Sequence, residues 1–129
     1  TASARFLGEA RGRRYPTFDI GLNGVGGYRV RVSPAKLKLE LLRSDSVKTS
    51  VPLEWTPGKW THLKITVIKK DEQWVVTGKF WQEGGQEPAE PTITFTDSDA
   101  PPSGRASVFA SPYSGRPIRF DDLAVGPAQ

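Results

Sequence analysis

At 129 residues the chain holds one domain at most, and a chain of this size buries about two-thirds of its unfolded surface without metal or disulfide staples. It has no cysteine, so disulfides are excluded, and no apolar run approaches the roughly 20 residues that span a bilayer. The net charge of +4 is uneven, with ten Lys/Arg against four Asp/Glu in residues 1–48 and eight against ten in residues 49–129. A basic first third suits an anionic partner such as nucleic acid or an anionic polysaccharide, or simply a solvated sheet face. Thr1–Ala10 lacks an apolar signal region. A start at Thr1 rather than Met fits a processed or excised piece, for which a missing signal says nothing.

Along the chain, Ala4, Phe6 and Leu7 make a short strand, and Arg11-Gly12-Arg13-Arg14 reads as an exposed loop. Phe18, Ile20 and Leu22 alternate with polar neighbours, and Asn23-Gly24 signals a turn, here in a loop longer than two residues. Tyr28, Val30 and Val32 alternate with Arg29 and Arg31 until Ser33-Pro34 ends the strand. Lys36–Leu42 alternates again, with Leu37, Leu39 and Leu41 on one face. Helix-forming composition competes there, but the period of two decides for strand. Val47–Glu54 follows as an edge or bulged strand, because Pro52 interrupts it.

Trp55–Trp81 is the centre of the chain and holds all four tryptophans. Leu63, Ile65 and Val67 alternate with His62, Lys64 and Thr66; Trp74, Val76 and Phe80 alternate with Val75, Thr77, Lys79 and Trp81. This predicts a hairpin of two long strands joined by the polar Lys69–Gln73. Short strands follow at Thr92–Thr96, Arg105–Ala110 and Ile118–Val125, separated by Gly- and Pro-rich loops. Nine or ten short strands with frequent turn signals and no convincing helix predict an all-β sandwich or barrel.

The motif W-x-P-G-x-W-x-x-L-K-I-x-V from Trp55, then W-x-V-x-G-K-x-W from Trp74 and F-D-D-L-x-V from Phe120, resembles the concanavalin A-like jelly-roll superfamily of lectins, laminin-G-like modules and glucanases. The likeness covers residues 11–126 and is nearer still to the C-terminal jelly-roll domains of secreted, quinoprotein-like bacterial propeller proteins, in which a basic loop precedes a D-I-G-L strand as Arg13-Arg14-Tyr15-Pro16 precedes Asp19–Leu22. The resemblance implies an antiparallel jelly-roll sandwich and an extracellular, periplasmic or cell-surface location. It also implies a chain that lacks N-terminal strands, is the C-terminal portion of a larger domain, and leaves its last strand in need of a partner.

The glucanases of that superfamily carry alternating carboxylates on one strand, as a retaining glycosidase needs with its pair about 5–5.5 Å apart. No strand here has such a pair, and His62, the only histidine, lacks the lyase pattern, so no catalysis is expected. The resemblance places Asp121 at a calcium-ligand position, yet calcium takes about 6–8 oxygens, so one carboxylate is not a site. It implies instead a non-catalytic accessory module that binds carbohydrate. Trp81, facing away from the core row, and Tyr113, in a loop, are the stacking platforms, while Arg29, Arg31, Lys38 and His62 line an anionic groove. Trp55, Trp60 and Trp74 fall to the core. The rival role is a structural domain that packs on a partner through an exposed edge. Nucleic acid is disfavoured by the acidic second half and by the lack of a known fingerprint.

Overall fold

The computed structural model describes residues 1–128; Gln129 lies outside the described residues. Ten strands form: β1 Ala2–Leu7, β2 Thr17–Leu22, β3 Tyr28–Ser33, β4 Lys38–Arg43, β5 Ser46–Pro52, β6 Thr61–Lys70, β7 Gln73–Gln82, β8 Ile93–Asp97, β9 Ser107–Ser111 and β10 Arg119–Val125. They build an all-β antiparallel sandwich. One sheet has the order β10-β1-β6-β7-β8 and the other β5-β4-β3-β2-β9. The first strand thus pairs with the last, and the second with the last but one in the opposite sheet. Among the described residues no helix is long and apolar enough to cross a membrane.

The alternation of the sequence becomes the core. Phe18 and Ile20, Tyr28, Val30 and Val32, Leu39 and Leu41, Leu63 and Ile65, and Val76 all lie between the sheets. The sheets close tightly at Gly78 on β7. A Cβ there would come 2.8 Å from Val30 Cγ2 of the opposite sheet and 2.8 Å from Ile93 Cγ2, so a larger residue would force the layers apart.

The central hairpin is tighter than its polar linker implies. β6 and β7 pair as far as Lys70 with Gln73. Asp71 and Glu72 alone make the turn, with φ of 50° and 67°. Two residues at positive φ give a primed turn whose twist matches that of the strands. Leu37 also departs from the alternation. Pro34–Lys36 forms a 3-10 turn, and Leu37 ends it in a left-handed conformation at φ 54° with its side chain 64% exposed. Proline at the head of the turn interrupts the strand, so β4 begins at Lys38, two residues later than the alternation implies.

The short strand expected at Ala4, Phe6 and Leu7 forms as β1, Ala2–Leu7. β1 lies between β10 and β6 and buries Ala2, Ala4 and Phe6 in the core. Its small side chains carry little hydrophobic signal, yet it supplies the partner that the last strand needed.

Two tryptophans leave the expected core. Trp55 packs there, edge-on to Phe18, with its indole N–H on Thr61 Oγ1 at 3.0 Å. Trp60 instead lies under the Arg5 guanidinium, 4.3 Å from its ring centroid. Half-buried Trp74 sits near the hairpin tip with Lys69 over its ring.

Along one side of the sandwich the layers are tied by polar groups. The fully buried Tyr28 donates its hydroxyl to Asp97 Oδ2 at 2.8 Å, and Arg43 Nη1 donates to the same oxygen at 2.6 Å. Arg43 also donates to the carbonyls of Asp99 and Ala100 at 2.8 and 2.7 Å, which pins the following loop.

Candidate functional site

The residues expected to bind ligand divide between the two outer faces of the sandwich. On the first sheet, register aligns Asp121, Arg5, His62 and Trp81 in one cross-strand row over β10, β1, β6 and β7. Trp81 and His62 stack with centroids 4.9 Å apart and planes 5° from parallel. The charges around them are mutually satisfied. Arg5 Nη2 donates to Asp121 Oδ2 at 2.9 Å, its Nε is ion-paired with Asp122 Oδ2 at 2.9 Å, and Glu87 lies 3.1 Å from Lys79 and 3.7 Å from Lys64. The Arg5 hydrogen bond, helped by the Asp122 amide, holds the Asp121 carboxyl below its usual range. The bond from Lys79 does the same for Glu87. A hollow of about 170 Å³ is what remains between these groups.

These residues do not fit a calcium ion. Arg5 occupies both carboxylates of Phe120-Asp121-Asp122, and among the described residues no cluster of three or more acidic or histidine side chains is poised to hold a metal. Calcium needs several oxygens free of competing cations. Asp121 pairs with Arg5 across the ladder, rather than with a neighbouring arginine of its own segment.

The second sheet is different. Its outer row runs Phe109, Asp19, Arg31, Glu40 and Ser50 across β9 to β5. Asp19 is 1% exposed although it lies on an outer face. Arg31 Nε approaches its Oδ2 at 3.2 Å and Arg29 Nη1 at 4.0 Å. Burial pushes the Asp19 carboxyl up, and the two guanidiniums pull it only part of the way back. Its Oδ1 and the Nε of Arg29 are buried without a hydrogen-bond partner. Buried polar atoms are rarely left unpaired, so this carboxylate is held at a cost in desolvation.

Beside this pair opens a hollow of about 370 Å³, walled by Tyr15, Phe109 and Tyr113 and by Arg31, Thr17 and Ser33. Phe109 is 54% exposed and Tyr113 67%. Small-molecule sites have volumes of roughly 300–1,000 Å³, with apolar walls and a few placed polar groups. Lys38 stands exposed one row on, opposite Ser33, and makes no ion pair among the described residues.

The expected anionic groove is thereby corrected. Arg31 is committed to Asp19, and Arg29 to Asp19, Asp45 and the Ser44 carbonyl. The strand that looked basic is locally near neutral. Tyr113 and Arg31 share the hollow; Arg29 lines a second one of about 300 Å³ on the far side of Phe109, while Trp81 and His62 are on the opposite sheet.

Phe109 escaped the sequence reading as a ligand contact, and Asp19 escaped it as the partner of Arg31. Phe109 had a signal, because the alternation of Ala106, Val108 and Ala110 already points it outward. Asp19 and Glu40 flank Arg31 in the row, but neither lines the hollow, so they do not present the pair of open carboxylates that glycoside hydrolysis uses. Comparison with protein families, with curated proteins and with solved structures finds no match to this chain. Its class is therefore that of its architecture, an antiparallel sandwich of two five-stranded sheets.

Proposed function

We propose that this protein is a non-catalytic carbohydrate-binding module of an extracellular, periplasmic or surface protein, and that it binds through the outer face of the second sheet. The observation that carries the reading is the hollow in which three aromatic rings stand around Arg31, itself paired with Asp19 outside the lining, and several hydroxyls. Aromatic faces stack on the apolar side of a sugar ring, and fixed polar groups orient its hydroxyls. Because Arg31 is already neutralised, the favoured ligand is a neutral or weakly charged saccharide rather than a polyanion. Binding to a glycan array at physiological salt, followed by titration calorimetry on the best ligand, tests this. Phe109→Ala and Tyr113→Ala each weaken binding about tenfold or more and leave the fold intact, whereas Trp81→Ala on the opposite face changes nothing. A flat array, or a loss of binding in Trp81→Ala with Phe109→Ala unaffected, would overturn the proposal.

A further inference from the structure

The side of the sandwich bounded by β9 and β10 is open and apolar. Phe120 and Val125 stand opposite Phe6 and Ala2, which are fully buried in the core. Directly opposed residues share a face, so both side chains point toward the interior. A bulge sets Asp122 and Leu123 together against Ala4; Asp122, at φ 55°, turns out to Arg5 and leaves Leu123 on the inner side. Yet Phe120, Leu123 and Val125 are 54, 53 and 64% exposed. Across the gap, the inward residues of β9, Val108 and Ala110, are only half-buried.

The free edges of the two sheets are not equally guarded. β5 carries Lys48, Pro52 and a register shift, and β10 carries two aspartates and a bulge. These devices block unwanted pairing. β9, with the sequence Ser-Val-Phe-Ala-Ser, has no charge, no proline and no bulge. We infer that this side accepts a strand: an extended segment of a partner polypeptide pairs with the free edge of β9 and lays alternate apolar side chains on Phe120, Leu123 and Val125. Only an extended chain satisfies an edge's backbone groups while covering a row with its period-two side chains.

Charge specifies the flanks of that segment. Phe6 stacks on Phe18, 4.9 Å between centroids, which brings the Phe120 end of β10 to the Ala110 end of β9. Arg119 therefore marks one end of the row and Arg105 the other, and neither is ion-paired among the described residues. An alternating apolar segment with acidic flanks complements this edge. A second copy of β9 does not, because an antiparallel pair would bring Arg105 of each copy to the Arg119 end of the other and so repel at both ends.

The probe is a fluorescein-labelled peptide of the sequence Asp-Glu-Val-Thr-Ile-Thr-Val-Thr-Glu-Asp, with a control of the same composition lacking alternation, read by fluorescence anisotropy. The alternating peptide binds saturably and the control does not. Leu123→Lys and Arg105→Glu each weaken binding about tenfold or more, and bound peptide slows amide exchange across Ser107–Ser111. Leu123→Thr, a milder change at an exposed site, gives a smaller loss in the same direction and guards against a folding artefact. Equal binding of both peptides, no binding at all, full binding by Leu123→Lys, or protection confined to β10 would each overturn the inference. So would a dimer of the chain that Leu123→Lys dissolves, since the occupant would then be a second copy.

Discussion

The two long sides of this sandwich are closed by different means. Along β5 and β8 the layers are joined by Tyr28, Arg43 and Asp97, one hydroxyl and one guanidinium converging on a single carboxylate oxygen. Among the described residues no such tie joins β9 and β10; the apolar side chains of β10 face inward and stay more than half exposed, and those of β9 are half-buried. A buried polar tie is directional and fixes the spacing of two sheets, but loses much when any member is removed. An uncovered apolar row contributes little until something covers it. One side is built for the stability of the folded chain, and the other retains surface for association.

The sharpest way to break that contrast is to remove the carboxylate. Asp97→Ala leaves the buried Tyr28 hydroxyl and the Arg43 guanidinium without their acceptor, and frees the Asp99 amide that bonds Asp97 Oδ1 at 3.0 Å. The expected loss is about 2–3 kcal/mol, read as a fall of roughly 10 °C in Tm for a domain of this size. Burial alone would raise the Asp97 carboxyl, but the bonds from the Asp99 amide, Arg43 and Tyr28 outweigh it and hold it below 3.8. A carboxylate depressed in the folded state stabilises fully above its unfolded pKa and loses that contribution as pH falls through the folded value. Acid melts should therefore separate the two proteins most at neutral pH and bring them closer as pH falls through the lowered folded value of Asp97.

A smaller effect comes from the same tie at alkaline pH. Burial, then the Asp97 hydrogen bond and charge, push the Tyr28 phenol up to about 12, against the downward pull of Arg43. A phenol that keeps its proton longer in the folded state stabilises fully below its ordinary value of 10.0. That contribution is lost as pH rises through about 12. Wild-type Tm should fall between these limits more steeply than that of Tyr28→Phe. The difference between the proteins isolates Tyr28 from the lysines that also titrate there. At neutral pH Tyr28→Phe should cost about 1 kcal/mol, the worth of one hydrogen bond.

How far the sequence could reach follows the same division between local and cross-strand information. Alternation placed the strands and most of the core, because burial of one strand face is written in neighbouring residues. It placed the hairpin connection within Lys69–Gln73 but not the two-residue turn at Asp71-Glu72, since neither residue advertises positive φ as Asn-Gly does. The jelly-roll resemblance put Trp60 in the core, although Trp60 shares the parity of His62 and Lys64, and Arg5 from another strand covers it. The candidate site was less legible. Tyr113 and Arg31 were found singly, but the pairing of Asp19 with Arg31 depends on β2–β3 register, and the wall formed by Phe109 depends on β9 joining β2. The separation of Trp81 and His62 from Arg29, Arg31 and Tyr113 depends on which strands share a sheet, which no single stretch encodes.

The smallest expected effect is also the most discriminating. Leu123→Thr shortens an inward-facing apolar side chain, a change that in a closed core, at Leu63 for instance, would cost several kcal/mol through lost burial and a residual cavity. At Leu123, 53% exposed, half of that burial has not occurred. The predicted change in unfolding free energy is within about 0.5 kcal/mol, as for ordinary surface positions, measured by urea denaturation with an unchanged m-value. A cost above about 1.5 kcal/mol would mean that the row is already packed in solution. The β9–β10 side would then be as closed as the side tied by Asp97, and no strand would be needed to cover it.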